Sequence, residues 1–80
     1  MANLVDGNGV LMKRAALVDF IATYNRFSAG QGRGAKEFGA LPRALVIVMD
    51  NLAIGKTTYV KCADGTAQLT RRKDNQIATL

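Results

Sequence analysis

The stretch Ser28-Ala29-Gly30-Gln31-Gly32-Arg33-Gly34 sets glycine at every second position, three times in succession. In a helix each would cost about 1 kcal/mol relative to alanine. Helix through this stretch is therefore disfavoured, and a flexible basic loop is the natural reading. Whatever core the chain builds must come from the segments on either side.

Upstream, Val10 to Phe27 carries a helical period without Pro or internal Gly. Leu17, Ile21, Tyr24 and Ser28 line one stripe, Phe20 and Phe27 widen it, and Lys13, Arg14, Asp19 and Arg26 fall largely outside. A helix is expected over 10–27. Asp6-Gly7-Asn8-Gly9 is dense in turn formers, so residues 2–9 read as a short extended arm and its turn.

Downstream, the loop is taken to run over 28–41, with Ala35 to Leu41 suited to one or two helical turns that Gly39 weakens. Residues 42–54 fit two templates. As a helix, Leu41, Leu45, Val48, Met49 and Leu52 share a face, Pro42 sits near the first position, and Gly55 follows as the terminating residue. Ile47 then lies opposite the stripe. As a strand, Val46-Ile47-Val48 supplies β-branched residues, but no alternation accompanies them. Caps and period agree over the whole segment, which favours the helix.

The last third reads as a β-hairpin over 56–72. Thr57 to Cys62 and Thr66 to Arg71 flank Ala63-Asp64-Gly65, and Asp-Gly is a strong hairpin signal. Val60 and Cys62 alternate with Tyr59, Lys61 and Ala63, so one face packs inward. Cys62 belongs to that face and reads as inert packing. The polar run from Arg71 to Gln76 is expected to leave the sheet, with 73–80 a tail whose last residues fray. The expected fold is α+β: a long N-terminal helix, a Gly-rich loop, a second apolar helix and a C-terminal hairpin. Were 44–49 a strand, one helix would pack on a three-stranded meander.

Eighty residues, 49% of them hydrophobic, suit a single small domain. Chains near this size bury only about 60% of their unfolded surface. Self-association as a homodimer is accordingly an expectation, with Ile47 and Ile54 as the contact.

The absence of His and the presence of one Cys exclude an internal disulfide and a His/Cys zinc site. Asp6, Asp19, Glu37, Asp50, Asp64 and Asp74 are scattered without paired spacing, so neither metal nor cofactor is expected. Without His, the commonest general base and nucleophile partner are missing. A non-enzymatic binding protein is the expectation. No segment reaches the roughly 18 apolar residues of a membrane span, and the terminal residues are expected to be neither a signal peptide nor a lipidation signal. A cytoplasmic protein with no membrane partner follows.

The net charge of +5, from eleven basic and six acidic residues, favours an anionic partner. Gly55-Lys56-Thr57-Thr58 resembles the end of a phosphate-binding loop, but Asp50 stands where that motif needs glycine, so it reads as a decoy. In Gly30 to Lys36, glycines permit close backbone approach while Arg33 and Lys36 supply charge; the plainer reading is an interhelix linker. Arg71-Arg72-Lys73 is the densest cluster and, with Lys56 and Lys61, could form a basic strip on the hairpin; the plainer reading is a solvated run. Tyr59 alone lies nearby, which does not support a platform for stacking single strands. The order helix, short helix, helix, hairpin matches a winged helix-turn-helix. However, the third helix offers Arg43, Asp50 and Asn51 amid apolar residues, which disfavours base reading in the major groove.

Two functions remain. The first is a non-sequence-specific contact with nucleic-acid backbone, or another anionic surface, through Arg33, Lys36, Lys56, Lys61, Arg71, Arg72 and Lys73. The second is an accessory or inhibitor protein, of the compact kind that phages and mobile elements encode, acting by stoichiometric protein–protein binding.

Overall fold

The computed structural model describes residues 1–30 and 36–80. Its elements in chain order are β1 (Ala2–Asn3), α1 (Arg14–Ser28), α2 (Lys36–Gly39), α3 (Arg43–Asp50), β2 (Thr57–Cys62), β3 (Gly65–Arg71) and β4 (Ile77–Thr79). The strands form one mixed sheet in the order β1-β2-β3-β4, with β1 parallel to β2 and the remaining pairs antiparallel. The fold is α+β, as expected. Residues 43–50 are helical, which rules out the meander alternative.

The α1 stripe buries Leu17, Ile21, Tyr24 and Phe27, close to the pattern read from the period. Leu41, Leu45, Met49 and Leu52 supply the α3 side of the core, and Ile47 stands half exposed opposite them. From the sheet come Val60, Cys62, Ala67, Leu69 and Ile77, which join Leu17, Ile21, Tyr24, Leu41, Leu45, Met49 and Leu52 in one cluster. Each buried Leu, Ile, Val or Met side chain among them contributes roughly 1.5–3 kcal/mol by leaving water. All these strand residues have the same parity in the β2–β3–β4 register, so the helices cover one face of the sheet.

The start of α1 departs from expectation. Val10 to Lys13 are extended: the Met12 N–H donates to the Leu4 carbonyl, and Ala63 N–H donates to the Met12 carbonyl. These residues return beside the arm after the Asp6–Gly9 turn, where Asp6 Oδ1 accepts from the N–H groups of Asn8 and Val10. Backbone pairing to two neighbours outweighs one further helical turn. Lys13, at the N-cap, makes no side-chain cap bond. Asp64 of the β2–β3 turn serves instead, accepting from the Arg14 N–H at 2.9 Å. Its carboxylate also opposes the positive end of the helix dipole.

Two further boundaries are corrected. Helix α3 ends at Asp50 with Asn51 as its C-cap, so Gly55 does not terminate it. Gly55, at φ +81°, instead turns the chain into β2, its N–H donating to the Arg71 carbonyl. The polar run leaves the strands only over 72–76, and 73–80 is not a tail. Asn75 adopts φ +71°, a left-handed value that Asn tolerates, and residues 77–79 return along β3 as β4. Asn25 of α1 fixes this strand from outside. It donates to the Ile77 carbonyl at 2.9 Å and accepts the Ile77 N–H at 2.8 Å.

Candidate functional site

Strand alternation divides the basic residues of the hairpin between two faces. Ala67, Leu69 and Arg71 share the inner parity of β3, and Arg71 is only 5% exposed. Its guanidinium donates to the carbonyls of Leu52 (3.0 Å), Asn75 (2.9 Å) and Met49, and to the Tyr24 hydroxyl at 3.1 Å. The guanidinium carbon lies 5.5 Å from the centre of the Tyr24 ring. Tyr24 in turn donates to Asp50 at 2.8 Å. The carbonyl of Met49 belongs to the last turn of α3, where the helix dipole favours a cation.

Arg71 is thus a charged clamp joining α1, the end of α3 and the β3–β4 turn. Arg71 does not belong to the anion-contacting residues, because its guanidinium is buried and donates to acceptors within the fold. The cue lay in the sequence: Arg71 stands two residues after Leu69, on the same face. Burial raises the pKa of the Tyr24 hydroxyl above its ordinary value, opposed by Arg71 and reinforced by Asp50. Burial likewise raises that of the Cys62 thiol, with Asp64 adding to the effect and Arg14 opposing it. A thiol held in its protonated form is a poor nucleophile.

The other predicted residues are placed differently. Arg33 lies outside the described residues. Lys36 is exposed at the start of the four-residue α2, and Lys56 is exposed just before β2. Arg72 and Lys73 are exposed in the β3–β4 turn, where Arg72 pairs with Asp74 at 2.7 Å. This pair is largely solvated, so its net contribution is small. Lys61 is exposed on the outer face of β2. The structure therefore brings Lys61, Lys56, Arg72 and Lys73 to the hairpin surface and takes Arg71 inside.

The outer face of the sheet is where these charges meet other functional groups. Register sets Lys61 opposite Thr66, Tyr59 opposite Gln68, and Thr57 opposite Thr70. The two threonine hydroxyls are 2.9 Å apart and hydrogen bonded. Tyr59 stands at the middle of this surface, 51% exposed. None of the six residues is acidic. Period alone marked Tyr59 as outward-facing, but its central place depends on β3 pairing alongside.

Gly55-Lys56-Thr57-Thr58 runs from a helix into a strand, the reverse of the strand–loop–helix order that presents backbone N–H groups to phosphate. On α3, Arg43, Ile47 and Asp50 are the exposed positions, a poor set for reading base edges. Among the described residues no three Cys, Asp or Glu side chains converge as metal ligands would. A shallow cleft of about 360 Å³ lies between the start of α1, the hairpin tip and β4, lined in part by Arg14, Val18, Asp64, Thr79 and Leu80. No described helix is long and apolar enough to cross a membrane. Comparison of the chain with protein-family models, curated proteins and solved structures finds no match.

Proposed function

We propose that the chain is a non-enzymatic binding protein that contacts nucleic-acid backbone without reading base sequence. The observation that carries this reading is the outer sheet face, where Lys61 stands among hydroxyl and amide groups with no carboxylate across the β2–β3 pairs. Lys56, Arg72 and Lys73 extend the positive charge along the hairpin, and Lys36 at the start of α2 is a further exposed cation. Threonine, glutamine and tyrosine groups are suitable partners for phosphate and sugar oxygens.

Binding of this kind weakens steeply with salt, because each phosphate neutralised releases condensed counterions. Titrating labelled DNA and RNA, single- and double-stranded, over a salt series tests it. Lys61→Ala and Lys73→Ala should each flatten the salt slope by about one unit or less. Absence of binding to every nucleic acid at low salt would remove the reading.

A second reading, stoichiometric binding to another protein, draws on the cleft beside α1, where Val18 and Leu80 are exposed. Its signature is a defined complex that survives nuclease treatment and is weakened by Val18→Asp, a substitution remote from the outer sheet face.

A further inference from the structure

We propose that the outer sheet face takes single-stranded nucleic acid, one base lying on the Tyr59 ring with flanking phosphates at Lys61 and Arg72. This rests on the backbone-binding reading above and makes it specific to unpaired strands.

The surface has the parts that such a contact needs. Tyr59 is half exposed in mid-strand. Its cross-strand neighbour, Gln68, and the same-face residues Thr57 and Lys61 leave the ring without an aromatic companion. A base can therefore lie against it, and a sheet-borne aromatic stacks any base because every base has a π-face. One central ring is enough for one base.

Charge stands at both ends of the same face. Lys61 is two residues along β2 from Tyr59, facing Thr66 across the ladder. Alternation from Thr66 through Gln68 and Thr70 brings Arg72 to that face, and its N–H continues the ladder by donating to the Gln76 carbonyl at 2.8 Å. At strand rise, Thr66 and Arg72 are separated by about 20 Å, a length that accommodates several nucleotides. The exposed Arg72–Asp74 pair is weak enough to open toward a phosphate.

A duplex meets the same charges but not the ring, because its base faces are occupied by their stacked neighbours. Single strands should therefore bind more tightly than duplex of the same length. The difference should reside in Tyr59.

The test measures fluorescence anisotropy with labelled oligothymidylate, oligouridylate and a blunt duplex of equal length. Tyr59→Ala should weaken both single strands by roughly 5- to 100-fold, leave duplex binding unchanged, and be matched closely to the parent by Tyr59→Phe. The chain contains no Trp, so Tyr59→Trp places a sole indole at the site; its quenching by single strands and not by duplex supports the stack.

Equal binding of single strand and duplex, with Tyr59→Ala harmless and Lys61→Ala weakening both, overturns the stacking proposal and leaves the backbone reading standing. Failure of every nucleic acid to bind overturns both. Thermal unfolding of Tyr59→Ala at the parent temperature confirms that a lost affinity is not a lost fold.

Discussion

The two faces of the sheet use the same kind of residue for opposite ends. On the inner face, Arg71 is enclosed by three backbone carbonyls and the Tyr24 hydroxyl, and its charge holds secondary-structure elements together. On the outer face, Lys61 projects into solvent opposite Thr66 and is available to a partner. A cation in a low-dielectric interior needs fixed acceptors and becomes structural once it has them. A cation on an open face keeps its water until a partner displaces it. Position in the pleat, more than position in a charge cluster, decides which role an arginine or lysine takes.

The comparison breaks most sharply at Arg71. Arg71→Met removes the donor to Met49, Leu52 and Asn75 and takes from the Leu52 and Asn75 carbonyls their guanidinium partner, so we expect a loss of about 3 kcal/mol or more in urea unfolding. Asn25→Ala comes next. It removes both bonds to Ile77 and should cost about 1–2 kcal/mol, with faster amide exchange concentrated in β4. Asp64→Ala uncaps α1 from across the fold, an expected loss of about 1 kcal/mol, read as a lower urea midpoint.

The inner face also responds to alkali. Burial raises the Cys62 thiol and the Tyr24 hydroxyl above their ordinary values of 9.0 and 10.0. The folded chain then holds these protons more tightly than the unfolded chain. The stability they contribute is fully present below the ordinary values and is lost as pH rises through the folded ones. The urea midpoint should fall above about pH 9, and Cys62→Ala should remove the first part of that fall. The smallest effect belongs to the outer face. Lys61→Met should change stability by no more than about 0.5 kcal/mol, while flattening the salt dependence of nucleic-acid binding. Equal destabilisation by Arg71→Met and Lys61→Met would abolish the distinction between the faces.

Much of this arrangement is legible without coordinates. The stripe of Leu17, Ile21 and Tyr24 and the alternation of Val60 and Cys62 each report a local period that the folded chain keeps. The ends of elements are less legible. Residues 10–13 have a helical pattern but are extended, because Leu4 and Ala63 offer them backbone partners. Ile77 to Thr79 look like a tail but form a strand, because Asn75 turns the chain and Asn25 holds the returning strand. In the candidate site, Lys61 and Lys73 were readable as exposed cations. The interior fate of Arg71 follows from extending the Ala67–Leu69 alternation by one more step.

The amino-acid sequence alone determined the α+β class, the Asp-Gly hairpin, the helical stripes and the exclusion of disulfide and His/Cys zinc chemistry. These depend on composition and short-range period, which no distant contact alters. Tertiary structure decided that Asp64 caps α1, that Arg71 clamps three elements, and that Tyr59 stands at the centre of an open sheet face. Each joins groups far apart in the chain, and their energies exist only once the sheet has brought those groups within hydrogen-bonding or packing distance.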